Sequence, residues 1–312
     1  MTTIDWLRYS PIMQKRKTKA KRPSKRYGAA ELFGRAIVTL TREELNRLSS
    51  ANHKDMPCPY KTDGVSCHKK GGVCSLGLYE RNKDQSVSMV GEPVTTCPSR
   101  FLEGNLVFDW VREVLLGAAE TKVVKEISFL MSDRGQKIGK DEVGRIDNVL
   151  VNDKNDALKW CALEMQAVYF SGGKMAGDFK VMRTWAGPGL PFPSKQRRPD
   201  FRSSGPKRLM PQLQIKVPTL RRWGKKMAVV VDKAFWESLG SMQRASHISN
   251  ADIVWFVATY EAPANGRYRL KSHEAIYTTL EDAVSGLTGG TPVSLERFEH
   301  VIREKLERGE AR

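Results

Sequence analysis

Two carboxylates stand alone inside apolar, strand-like runs of the chain. Gly144-Arg145-Ile146-Asp147-Asn148-Val149-Leu150-Val151 carries Asp147, and Trp160-Cys161-Ala162-Leu163-Glu164-Met165-Gln166-Ala167-Val168 carries Glu164. The two-residue period of a strand puts Glu164 and Gln166 on one side, with Ala162 and Val168. A charged group in so apolar a strand needs a cation or a metal as partner. A hairpin pairing of the two runs brings Asp147 next to Glu164, and carboxylates that close repel and raise a pKa unless a divalent cation joins them. Mg²⁺, held by one or two carboxylates together with substrate phosphate oxygens, suits such a site. The same spacing also fits two carboxylates facing solvent on an antiparallel sheet.

A second constellation is made of sulfur. Cys58, Cys67, Cys74 and Cys97 fall within forty residues, separated by eight, six and twenty-two residues, while Cys161 stands alone. Four thiolates close a tetrahedral metal site, and a local cluster in a reducing compartment reads as metal ligation before disulfide bonding. The surrounding segment is rich in Gly, Pro and Lys and poor in periodic apolar positions, so it is expected to need metal as a staple. Soft sulfur donors suit Fe or Zn equally; His68, beside Cys67, is a competing ligand, and unpaired structural thiols are the other reading.

Charge names the partner class. The 312 residues carry 52 Lys plus Arg against 35 Asp plus Glu, a formal charge of +17. Eight of the basic residues lie between Lys15 and Arg26, with no acid among them, leaving +9 on the rest. The first run is expected to be a disordered arm, and a body still basic without it points to nucleic acid. Residues 195–226 hold eleven basic residues and one acid, Asp200, interleaved with Phe201, Trp223 and prolines. That composition suits a segment draped along a phosphate backbone, and Arg197, Arg198 and Arg202, in a Pro-interrupted loop, are candidates for bidentate contacts to guanine. The longest apolar stretch, Ile253 to Ala258, is far too short to span a bilayer, and the first residues lack a secretory apolar segment; the expected location is the cytoplasm.

The elements that must position these groups read as an α/β or α+β core. Leu106, Val107, Trp110, Val114 and Leu115 recur at helical intervals between Asn105 and Gly117, a helix that also carries Glu113. Strand-like segments follow at Lys122 to Met131, Arg145 to Val151 and Leu158 to Phe170, broken by turn-forming residues. After the basic segment, Lys226 to Asp232 and Asp252 to Tyr260 read as buried strands around a helix bearing Ala234, Phe235 and Leu239, and Ser294 to Arg308 as a closing helix. The chain divides into a basic arm (1–30), a cysteine metal-binding region (31–104) and a catalytic core (105–312). The five histidines lie in no nucleophile context, and neither Gly172-Gly173 nor Gly289-Gly290 completes a phosphate loop.

An acidic residue on one strand followed by Glu-x-Gln on the next resembles the PD-(D/E)xK nuclease core with glutamine in the lysine place, here Asp147 and then Glu164-Met165-Gln166. Together with the upstream four-cysteine cluster, the chain resembles the NotI-type restriction endonucleases over roughly residues 50 to 260. The resemblance implies a restriction-endonuclease-like mixed sheet flanked by helices, with a small four-cysteine metal-binding domain near the N-terminus. It implies a type II enzyme that hydrolyses double-stranded DNA with Mg²⁺, at a palindrome whose GC-richness rests on the arginines above. Asp147 and Glu164 would hold the metal, Gln166 would take the lysine place, and Glu113 would match an accessory helical carboxylate. A homodimer and a methyltransferase guarding the host's own sites are implied as well. A neutral amide orients water but cannot offset negative charge, which leaves Lys174 or Lys180 as sources of the cation. The competing class is a non-catalytic, metal-stabilised DNA- or RNA-binding protein, in which the same carboxylates are structural.

Overall fold

A computed structural model of the chain describes residues 24–62, 64–117, 120–131, 142–153, 158–289 and 293–310. Most of the basic run therefore lies outside the described residues. In chain order the elements begin with β1 (Ser24–Leu32), β2 (Arg35–Ala36), α1 (Arg42–Ser50), β3 (Val73–Arg81), β4 (Val87–Thr95) and α2 (Leu106–Leu116). There follow β5 (Lys122–Met131), β6 (Glu142–Asn152), β7 (Lys159–Met165), β8 (Tyr169–Gly172), α3 (Ala176–Arg183), β9 (Arg197–Asp200), α4 (Phe201–Ser204) and α5 (Met210–Arg222). The chain continues with β10 (Met227–Asp232), α6 (Lys233–Glu237), β11 (Ile253–Ala264), β12 (Arg267–Thr278), α7 (Leu280–Thr288) and α8 (Leu295–Glu307). Among the described residues no helix is long and apolar enough to cross a membrane.

The first four strands form an antiparallel sheet in the order β2-β1-β3-β4. Phe33 and Gly34, both at positive φ, make the two-residue turn between β1 and β2, a conformation that matches the twist of a hairpin. The basic arm expected over residues 1–30 ends inside β1, where Lys25 pairs with Glu80 at 3.4 Å and Arg26 donates to the Pro193 carbonyl at 2.9 Å. The cysteine region has an apolar cluster of its own. Ala29, Leu32, Phe33, Ile37, Leu45, Leu48, Val73 and Leu76 are buried together there. Its main strand, β3, is buried on both faces for most of its length and so lacks the alternation that marks a half-exposed strand.

The second sheet is mixed, six strands in the order β12-β11-β10-β7-β6-β5. Its centre is parallel, β7 with β10 and β10 with β11, while β5, β6 and β12 add antiparallel edges. Every residue of β10 is buried, as expected for a central strand covered on both faces. Leu150, Cys161, Leu163, Val230 and Phe256 face α2, through Val107 and Val111. Val149, Ala162, Val229, Val231 and Trp255 face the layer of α5, α6 and α7. The segment expected as one strand from Leu158 to Phe170 is two: β7 ends at Met165, and β8 pairs with β9 in a ladder of its own. The segment 195–226, with Arg197, Arg198 and Arg202 expected on a Pro-interrupted loop, is likewise ordered as regular structure. It is a short strand followed by helix, with a π turn at Gly205–Leu209 ahead of α5. The expected closing helix forms as α8 but buries none of its residues.

Buried polar bonds tie the two sheets together. Arg100, with no exposed surface, donates from Nε to both Glu31 carboxylate oxygens at 3.1 Å and from Nη2 to the Tyr268 carbonyl on β12 at 3.0 Å. Asp232, at the end of β10, accepts from the Thr95 amide of β4 at 2.5 Å and caps α6 through the Phe235 amide at 2.7 Å.

Candidate functional site: paired carboxylates beneath helix α5

The antiparallel register of β6 on β7 pairs Asn148 with Leu163 and Val149 with Ala162. One step further along the same register, Asp147 comes opposite Glu164. Both lie on the face covered by α5, because Ala162 and Val149 of the same parity pack against that helix. Glu164 is buried, whereas the Asp147 side chain is more than half exposed. Burial, and secondarily the negative charge of Asp147, push the Glu164 carboxyl up to about 7, against the lowering influence of a nearby ammonium.

That ammonium belongs to Lys216. Its Nζ lies 2.7 Å from Glu164 Oε2, 2.9 Å from Gln212 Oε1 and 3.9 Å from Asp147 Oδ1. Leu213, Lys216, Val217 and Leu220 are the buried positions of α5, spaced i, i+3, i+4 and i+7. A lysine thus occupies the apolar stripe, and it does so where two strand carboxylates lie beneath it.

Asp147, Glu164 and Gln166 open into one cleft of about 520 Å³. Gln212 and Arg208, from α5 and the π turn before it, form one wall; His68, Lys69, Thr96 and Pro98 of the amino-terminal region form the other. Arg208 stacks its guanidinium over the Tyr169 ring at 3.7 Å, and Lys69 donates to the Thr96 carbonyl at 2.6 Å. Gln166 follows β7, its amide held by the Val230 carbonyl at 2.9 Å and its side chain turned onto the Ala167 carbonyl at 2.5 Å. Two carboxylates around an open cleft are a sufficient protein donor set for Mg²⁺, which retains water and takes substrate phosphate oxygens for its remaining positions.

The other expected site residues are placed differently. Glu113 is exposed on α2, a helix that packs on the opposite face of the sheet, and it does not line the cleft. Arg197 is buried: it pairs with Asp178 at 2.5 Å and donates to the Gly173 and Lys174 carbonyls at 2.8 Å, so its guanidinium is committed to structure. Its neighbour Arg198 points outward on β9, its Nε 3.4 Å from Ser171 Oγ, and Arg202 is exposed on α4. Lys174 and Lys180 are exposed and outside the cleft lining. Lys216 and Arg208 belong to the basic segment 195–226, though not to the three arginines picked out within it, and Lys69 lies outside that segment.

Cys58, Cys67, Cys74 and Cys97 are all buried and unbridged. The Cys97 amide donates to the Cys74 carbonyl at 3.2 Å, and the Cys67 thiol lies 3.6 Å from the Lys69 carbonyl. Burial raises the thiols of Cys67 and Cys74 above the ordinary range. Among the described residues, no three His, Cys, Asp or Glu side chains gather at metal-ligating geometry. The separate metal-binding domain expected here is therefore not seen as such; its residues are part of the first sheet and of the cleft wall.

A basic protein with two carboxylates and an ammonium meeting under a cleft has the makings of an enzyme acting on phosphate esters. Residues 40–270, about three quarters of the chain, match the family model "Restriction endonuclease NotI", and the chain belongs to that family. It is a restriction endonuclease, a site-specific deoxyribonuclease that hydrolyses phosphodiester bonds. Comparison with curated proteins and with solved structures gives no match.

Proposed function

We propose that the chain is a Mg²⁺-dependent type II restriction endonuclease with a restriction-endonuclease-like core, cutting double-stranded DNA at a GC-rich palindrome. The observation that carries this reading is the convergence of Asp147 and Glu164 on one cleft face, with Gln166 beside them. Asp147 and Glu164 would hold the ion; when bound, it supplies a Lewis acid beside the scissile phosphate. Gln166 presents an amide that orients the attacking water. Arg208 and Lys69 flank the cleft and offset the charge of neighbouring phosphates. Arg198 and Arg202, both exposed, are the remaining candidates for guanine contacts.

A palindrome is matched most simply by a twofold homodimer in which each subunit cuts one strand. The family reading brings with it a methyltransferase protecting the host's own sites and a cytoplasmic location, where five free thiols stay reduced. The donor chemistry of the four buried cysteines fits one Fe or Zn ion in a structural role, outside any catalytic step. Elemental analysis of the folded protein should find about one such ion per chain; a metal-free, folded preparation removes the sulfur site from this reading. For the activity, long GC-rich duplex DNA incubated with the protein should give discrete fragments with Mg²⁺ and none with chelator. Cleavage indifferent to divalent ions refutes the Mg²⁺ role, and random degradation refutes a specific site.

A further inference from the structure

We infer that Lys216, reaching down from α5, supplies the fixed positive charge that Gln166 cannot. The inference rests on the reading of Asp147 and Glu164 as the metal-holding pair and deepens it.

The argument begins from charge balance. Hydrolysis adds the oxygen of one water to phosphorus and breaks one P–O ester bond. One of the water's protons ends on the departing sugar oxygen, and the other stays on the new phosphate or leaves to solvent. Negative charge therefore builds on the phosphoryl and leaving oxygens in the transition state, and preorganised positive groups nearby accelerate the step. Gln166 is neutral and already turned onto the Ala167 carbonyl. Two carboxylates alone would repel a phosphate diester.

Lys216 answers this deficit by position. Its Nζ bonds Glu164 at 2.7 Å, bonds Gln212 at 2.9 Å and stands 3.9 Å from Asp147, so one ammonium touches or approaches three residues that face the cleft. The side chain is almost fully buried, where water does not screen its charge and where an unneeded ammonium is costly. Leu213, Val217 and Leu220 pack the same helix face and fix the approach of that ammonium. No other lysine reaches either carboxylate among the described residues, Lys174 and Lys180 being exposed elsewhere. The charge enters from a helix 52 residues beyond Glu164 rather than from two residues along the strand.

The test moves the charge rather than merely removing it. Cleavage of duplex DNA with Mg²⁺, DNA binding with chelator present, and thermal melting are measured for the wild type, D147N, K216M, K216R and the double variant Q166K/K216M. K216M should lower the single-turnover cleavage rate by roughly 10²–10³-fold, the usual effect of deleting one preorganised charge-stabilising group, with DNA affinity nearly unchanged. K216R should retain more activity than K216M, and Q166K/K216M should recover at least tenfold over K216M, because it returns an ammonium to the same carboxylates from the strand. Packing alone predicts no such recovery. Should K216M melt below the assay temperature, K216Q, which keeps a donor to Glu164, replaces it in both backgrounds. Full cutting by folded K216M or K216Q overturns the inference, as does failure of the added lysine to restore activity. Full cutting by D147N instead overturns the carboxylate reading on which the inference rests, so the two failures are separable.

Discussion

Substituting Arg100 with methionine tests whether the amino-terminal sheet and the six-stranded sheet unfold as one unit. Arg100 gives Glu31 two bonds at 3.1 Å, Glu103 one at 2.7 Å and the Tyr268 carbonyl one at 3.0 Å, while its guanidinium lies over the rings of Tyr60 and Tyr260. Methionine fills much of the volume but leaves Glu31, with no exposed surface, only the hydroxyls of Ser75 at 2.6 Å and Tyr60 at 3.1 Å. Removing one partner of a buried ion pair costs about 3–5 kcal/mol, most of it the penalty of the charge left behind. In a chain of this size that corresponds to a fall in melting temperature of roughly 5–10 °C. Neutralising the abandoned partner should recover part of the loss, so E31Q/R100M is expected to be more stable than R100M by about 1–2 kcal/mol. Calorimetry on the wild type, both single variants and the double variant measures the cycle. A wild-type melting temperature for R100M, or strictly additive losses in the double variant, refutes the reasoning; two separated melting transitions in the wild type refute the single unit.

Two further outcomes follow from the site. Burial and Asp147 raise Glu164 to about 7, above its unfolded value, so the folded metal-free chain holds a proton there that the unfolded chain has released. Stability without divalent ions should therefore decline as pH rises from about 4.5 to 7, and E164Q should flatten that decline; an unchanged slope in E164Q contradicts the assignment. Mg²⁺ affinity should run the opposite way, weakening about fivefold from pH 7 to pH 6, since the ion needs the ionised carboxylate; calorimetric titration reads it, and a pH-independent affinity speaks against Glu164 as ligand. Among the arginines, R198A should weaken DNA binding with little change in melting temperature, whereas R197A should destabilise the fold by about 3–5 kcal/mol by abandoning buried Asp178. Equal effects of the two on both properties would contradict the placement of their side chains.

The carboxylate pair was legible because each acid interrupts an apolar strand, a cost that calls for a partner. The partner itself was hidden by distance along the chain. Lys216 shows in the sequence only as one charged residue in the stripe Leu213, Val217, Leu220, and a strand-centred pattern does not look there. Arg197 and Arg198 are the same residue type and adjacent, yet a strand sends neighbouring side chains to opposite faces, so one is buried in an ion pair and the other exposed. Glu113 illustrates the converse: the spacing predicts a helix between Asn105 and Gly117 and α2 forms there, but periodicity does not say which face of the sheet that helix covers. The first sheet has a weak signature in the sequence because β3 is buried on both sides and Cys74 and Gly77 blur its strand pattern.

Cleavage by D147N and E164A, set beside their DNA binding, bears most directly on the whole account. With Mg²⁺ and GC-rich duplex DNA, both variants, assayed below their melting temperatures because E164A leaves buried Lys216 without its carboxylate, should bind as the wild type does and produce no fragments, because the basic cleft walls persist while the donor pair is broken. Wild-type fragment patterns from either variant, correctly folded, would contradict the claim that these two side chains form the catalytic centre.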